Sequence, residues 1–245
     1  MRKKKEERVY RRHARAAGLE SFQVAVKETD LFISAERRLD TMARDLILER
    51  RGYIENYIRS RPEFVQSLLP LPMAGPAPEI VRRMIEASGK SGVGPMAAVA
   101  GAIAEEVGRG LLEKSRQVIV ENGGDVFIKT DAVSTVGVFA GKSALSGRLG
   151  IRVDSSQAPV SVCASSGSLG HSKSMGKADA VCVISGSCAL ADAAATAIGN
   201  HVKTKSDLKR ALDFGKTIPG VRGVLIIMDD KVGIWGDVKA AALDG

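Results

Sequence analysis

The chain has 245 residues, 44% of them hydrophobic, enough to bury a substantial core, so disorder is not the default state. Aromatic residues make up only 4%, so Ala, Val, Ile and Leu must fill the interior, which suits closely packed helices and buried strands. The formal net charge is +8, yet residues 1–15 hold eight Lys or Arg against Glu6 and Glu7, which places +6 in that arm and leaves +2 for the rest.

A basic arm can touch nucleic acid or another polyanion. No interleaved aromatic set or nucleic-acid motif accompanies it, so it reads as a solvated tail or an edge strand, and a nucleic-acid partner is not expected. No apolar h-region follows the arm before Glu20, so a cytoplasmic location is expected. No apolar window is long enough to span a bilayer, and no membrane partner is expected. Cys163, Cys182 and Cys188 are odd in number, show no C-x-x-C spacing and lie in apolar surroundings, so they read as buried reduced thiols.

In chain order, "ESFQVAVKETDLFISAE" alternates polar and apolar residues from Phe22 to Ile33, which predicts a sheet edge or hairpin, with "VYRRHARA" as a candidate partner. From Ala35 to about Arg59 apolar residues return at helical spacing, interrupted at Gly52, which predicts one long amphipathic helix or two. Four prolines in "LPLPMAGPAP", residues 69–78, stop any helix and predict a crossing between two parts of the fold. A helix from about Glu79 to Ala87 follows, and Gly94-Pro95 opens another whose Ala and Gly allow a close neighbour. "RQVIVENGGDVFIKT" predicts a hairpin turning at Asn122-Gly123-Gly124, with further strands in "VSTVGVFAG", "LGIRVD" and "APVSVCASS". "ADAVCVIS" leads into the helix of "SGSCALADAAATAIGN", "KSDLKRALDFGK" is a short helix, and "VRGVLIIMDDKVGIWG" is a closing pair of strands. Strands cluster and helices cluster, so the fold class is α+β rather than doubly wound.

Neither "SGKSGVGP" nor "GVFAGKSALSG" has the loop length of a Walker phosphate site, and the nucleophile elbow of serine hydrolases is absent at "ASSGS". His13, His171 and His201 are too far apart to predict a zinc cluster from spacing. "ASSGSLGHSKSMG", residues 164–176, is dense in hydroxyls and glycine directly after a strand; such a turn cradles phosphate or merely connects. Asp192 and Thr196 lie four apart on one helix face. Two readings stand for them: a sparse Mg²⁺ site completed by water and substrate phosphates, or an early-helix acid favoured by the macrodipole with Thr196 bonding back to the Asp192 carbonyl.

The order "ENGGDV" (121–126), "SVCASSG" (161–167) with His171, and "ALADAAATAI" (189–198) resembles the ApbE-like superfamily. Its best-known members are flavin transferases that attach the FMN part of FAD to a protein Thr or Ser. "GPMAAVAGAIAEE" is similar to the family's Gly- and Ala-rich helix, and the likeness covers roughly residues 90–200. The resemblance implies an ApbE-like, T-fold-like α+β architecture of mixed sheets flanked by helices, one domain over 1–245 in two lobes, with a lobe crossing near 69–78. It implies that Asp192 and Thr196 hold Mg²⁺ with a backbone carbonyl near Val99, and that Ser165, Ser166 and Gly167 meet the FAD diphosphate. By the same resemblance Asn122, Gly123, Gly124 and Asp125 line the flavin nucleotide, and His171 begins the family's His-x-x-Asp-Pro-x-Thr-Gly signature and is the candidate acid/base group.

The chain departs from the family at two places: "SKSMGKAD" follows His171, and Ala100 stands before Gly101 where the family has Lys. The resemblance implies a Mg²⁺-dependent flavin or nucleotide diphosphate-binding protein, an FMN-transferase-like enzyme if transfer survives these departures. The alternative is a non-catalytic flavin- or partner-binding module on the same scaffold. A twofold homodimer is the ordinary expectation for an enzyme of this size.

Overall fold

The computed structural model describes residues 18–167 and 175–243. The alternating segment folds as a hairpin of β1 (Glu20–Val26) and β2 (Thr29–Ala35), with Lys27 in the left-handed region at the turn. Phe22, Val24, Leu31, Ile33 and Ala35 point inward, as period two requires. The proposed partner "VYRRHARA" lies outside the described residues.

One helix, α1 (Asp40–Ser60), replaces the two that Gly52 allowed. A single glycine costs a helix about 1 kcal/mol. Burial of Ala43, Ile47 and Ile54 along one stripe offsets that, so the helix runs through. After the single turn α2 (Glu63–Gln66), residues 67–78 run without helix or strand through the four prolines. The next helix, α3 (Glu79–Ser91), runs four residues past the expected end and stops at Gly92, whose φ of 74° is the left-handed conformation that glycine adopts without strain. A 3₁₀ turn at Pro95–Ala98 leads into α4 (Val99–Leu111).

The strands that follow are β3 (Val118–Asn122), β4 (Asp125–Lys129), β5 (Ser134–Val138), β6 (Leu149–Val153), β7 (Val160–Ser165) and β8 (Ala180–Ser185). Then come α5 (Cys188–Asn200), α6 (Leu208–Thr217), β9 (Val221–Met228), β10 (Lys231–Gly236) and β11 (Lys239–Ala242). β11 has no sequence signal, since "KAAA" has no β-branched residue; it forms by pairing with β6.

Two antiparallel sheets result, an eight-stranded one in the order β1-β2-β3-β4-β7-β8-β9-β10 and a three-stranded one in the order β11-β6-β5. The helices pack on one face of the large sheet over Phe127, Cys163, Val181 and Val183. Its other face meets the small sheet through Ile119, Val126, Ile128 and Val162 against Val136, Ile151 and Val153. The α+β class is borne out, with the large sheet as the middle of three layers. Among the described residues no helix is long and apolar enough to cross a membrane.

Candidate functional site

Strand pairing decides which side chains of β4 and β7 face the helices. Phe127 lies opposite Ser161 and belongs to the helix-side core, so by period two Asp125, Ser161, Cys163 and Ser165 share that face. The β3–β4 turn is the predicted one: Asn122 pairs with Asp125 across a two-residue loop of Gly123 and Gly124, with φ of 67° and 122°. Those angles suit glycine, and they set Asn122 and Asp125 on either side of a tight reversal.

The helices above this face cross at unusually short range. A Cβ on Gly101 would lie 2.3 Å from the Cys188 carbonyl oxygen and 2.8 Å from Asp192 Cβ. At this crossing Gly101 N–H donates to Asp192 Oδ2 at 2.9 Å, and the Ala100 amide also favours the charged carboxylate. Asp192 therefore complements the N-terminal amides of α4, not those of its own helix. Asn122 Nδ2 donates to the Ala100 carbonyl at 3.0 Å, which ties the glycine turn to the same point. The two helices cap each other, for Glu105 of α4 accepts from the Cys188 amide at 2.8 Å and the Ser187 hydroxyl at 3.1 Å at the start of α5. Glu105 is 1% exposed and is neutralised by Arg83 and Arg109, each 2.9 Å away.

Some oxygens on these faces are left unused by the protein. Thr196 Oγ1, Asp125 Oδ1 and Ser165 Oγ are buried without a hydrogen-bond partner. The packing alternative for Thr196 required its hydroxyl to bond back to the Asp192 carbonyl, and that bond is not formed. Burial pushes the Asp192 carboxyl up to about 7 against the pull of the two α4 amides. Asp125 is raised well above the ordinary carboxylate range, first by burial and next by the Asp192 charge. Two carboxylates in one desolvated place repel each other, and a cation or a proton relieves the cost.

Cys163 and Cys188 stand beside the carboxylates with their sulfurs 3.4 Å apart. Burial raises both thiols, so they stay protonated and leave the oxygens as the ligating set. Among the described residues no three His, Cys, Asp or Glu side chains are grouped to hold a metal. The donor set at hand, two carboxylates and a hydroxyl, fits the sparse kind that Mg²⁺ completes with water and phosphate. Gly167 plays a different part from its neighbours. Its amide donates to the Ala178 carbonyl at 3.0 Å, and a Cβ there would lie 2.3 Å from the Gly176 carbonyl oxygen, so the backbone after β7 meets the backbone before β8 closely at Gly167. His171 lies outside the described residues.

A family model described as AbpE bacteria matches residues 11–234. The chain belongs to that family. Its relatives include a UPF0280 protein of Methanococcus maripaludis strain C5, 38% identical over 222 residues, with 88% of this chain and 90% of the relative covered. The UPF0280 protein of Methanocella arvoryzae is 39% identical over 212 residues, covering 86% of each chain. Among solved structures, the flavinyl transferase ApbE of Pseudomonas stutzeri in its apo form superposes with a TM-score of 0.56 at 13% identity, over 89% of this chain and 94% of that one. The ApbE protein of Thermotoga maritima gives 0.54 at 13% identity, over 88% and 96%. At such identities these likenesses establish the fold, which is that of the ApbE proteins.

In this AbpE family member the residues singled out from sequence, apart from Ser166 directly after β7 and His171 outside the described residues, fall into two groups. Asn122, Asp125, Ser165, Asp192 and Thr196 belong to the faces that meet at the α4–α5 crossing, and Gly123, Gly124 and Gly167 shape the backbone around them. Sequence reasoning missed Glu105, though two adjacent acids in an otherwise Ala- and Gly-rich helix were a signal, since Glu105 and Glu106 are both buried. It also missed that the α4 amides would be held by Asp192. That contact joins residues 91 positions apart, and no local pattern announces it.

Proposed function

We propose that this protein binds a flavin-type diphosphate, FAD first among them, with Mg²⁺ at the α4–α5 crossing, and acts on it as an ApbE-like transferase. The observation that carries the reading is the set of buried oxygens without partners, Thr196 Oγ1, Asp125 Oδ1 and Ser165 Oγ, on the helix and strand faces that also carry the mutually repelling carboxylates Asp125 and Asp192. Unused buried polar atoms cost about 1–3 kcal/mol each, a burden that persists only where something else satisfies them.

Asp192 and Thr196 would hold the metal, with Asp125 adding the second negative charge. Bound Mg²⁺ supplies neutralisation of phosphate oxygens. Asp192 is kept in one orientation by the Gly101 amide, so a ligand meets a preset carboxylate. Ser165 and Ser166, at the end of β7, offer hydroxyl and amide donors to the phosphates, and Gly167 keeps that turn tight. The Asn122–Asp125 turn lines the nucleotide, and His171 is the assigned acid/base group.

FAD fluorescence titrated with and without Mg²⁺ tests binding, and incubation with FAD and a Thr-containing peptide followed by mass spectrometry tests transfer. The expected result is Mg²⁺-dependent binding that Asp192→Ala and Thr196→Val both weaken, and a peptide heavier by FMN. Unchanged FAD affinity in both variants would remove the metal role. A second reading, a binding module without transfer, is favoured by Ala100, whose methyl stands where the resembling family carries a Lys cation. FAD binding with an unmodified peptide selects it.

A further inference from the structure

The C-terminal ends of α3, α5 and α6 converge on a cleft of about 400 Å³ that shares no lining residue with the site above. Its apolar lining includes Val93, Phe214 and Ile218, and its polar lining includes Lys90, Ser91 and His201. The size suits a small organic molecule better than a lone ion. Along α5 the cleft comes no nearer Asp192 than Ala197, five residues on, and His201, just past the helix end, is nine residues on, about 13 Å at the helical rise, so the cleft lies towards the other end of the helix.

Ser91 points to a ligand. It is 2% exposed, lines the cleft, and its Oγ has no hydrogen-bond partner. Ser88, one turn earlier, differs: its hydroxyl donates to the Val93 carbonyl at 2.5 Å. A buried hydroxyl with no partner is costly, and this one borders a space that a ligand could fill.

The sign of the ligand's charge follows from the lining. Helix C-termini favour cations, but several of the carbonyls at these ends already accept amides. Ser88 O accepts the Gly92 and Val93 amides, Ile198 O and Gly199 O accept those of His201 and Val202, and Gly215 O accepts that of Ile218. Among the described residues no carboxylate lines the cleft, while the Lys90 ammonium, the Ser91 hydroxyl and the His201 ring are donors. His201 stacks on Phe214 with ring centroids 4.2 Å apart, giving a flat apolar wall beside those donors. The structure assigns this cleft to a small organic anion, a phosphate ester or carboxylate with an aromatic or aliphatic body, held by Lys90, Ser91 and His201 with its apolar part on Phe214, Val93 and Ile218.

The test is calorimetry and NMR of the full chain in EDTA, with phenyl phosphate, benzoate, inorganic phosphate and benzylamine as probes. Saturable binding of phenyl phosphate or benzoate is expected, with shifts of the His201 ring signals and roughly tenfold weaker binding in Lys90→Ala and in Ser91→Ala. The stronger of the two organic probes identifies the headgroup. Lys90 is exposed, so its removal leaves the fold intact, which a thermal melt checks. Three results overturn the assignment: no saturable binding of either organic anion, preference for benzylamine, or binding that survives Lys90→Ala and Ser91→Ala but is lost in Asp192→Ala. The last outcome places the anion at the α4–α5 crossing instead. Failure of FAD binding leaves this test untouched, because EDTA removes the metal on which that reading depends.

Discussion

Thr196 is the residue where a packing role and a ligand role part. Its hydroxyl is buried and unpartnered, so Thr196→Val, which keeps the shape and removes the oxygen, is expected to stabilise the metal-free protein by about 1 kcal/mol. The same change should weaken Mg²⁺ binding by roughly tenfold, read by calorimetry; a purely structural hydroxyl would do neither. The carboxylates give a pH signature. Asp192 titrates near 7 in the fold against 3.8 for a free side chain, and Asp125 is raised in the same direction. The folded state thus binds protons more readily than the unfolded chain, and that stabilisation is complete below about pH 4 and is lost as pH rises through about 7. A divalent cation replaces the lost protons. Added Mg²⁺ should therefore raise Tm more at about pH 8 than at about pH 5, and a rise independent of pH would separate the cation from this pair.

For the elements, the decisive contact is the crossing of α4 and α5. Gly101→Ala places a methyl group on the Cys188 carbonyl and Asp192 Cβ, both backed by well-packed helix. It is expected to destabilise the protein by about 1–3 kcal/mol in urea unfolding despite the better helix propensity of Ala, because overpacking costs more than propensity returns. The glycine was legible in sequence as permission for a close neighbour, and the neighbour turned out to be α5. The β3–β4 hairpin was legible almost to the residue, since Asn-Gly-Gly between two apolar runs has few other solutions. The single helix α1 was less so: Gly52 argued for a break, and only the burial of Ala43, Ile47 and Ile54 against the core overrules it.

The whole molecule places all three thiols inside. Burial raises Cys182 to about 12, and Cys163 and Cys188 also move up. A maleimide at neutral pH should therefore label none of them in the folded protein at the rate of a free thiol, and all three once denaturant is added. Rapid native-state labelling of Cys163 or Cys188 would show that the helix layer opens above the large sheet, and of Cys182 that the small sheet lifts from its other face. The layered architecture explains why β11 escaped detection: its four residues gain their order only from β6, a partner supplied by distant chain.

The sequence by itself determined the α+β class, the hairpin at Asn122–Asp125, most helices and the burial of the thiols, because each rests on periodicity or turn chemistry within a dozen residues. Tertiary structure alone decided that Asp192 would hold the amides of α4, that Glu105 would return the favour to α5, and that Thr196 would be left without a partner. These outcomes depend on which faces meet across roughly 80 to 90 residues of chain, and a local pattern can specify a face without specifying what lies opposite it.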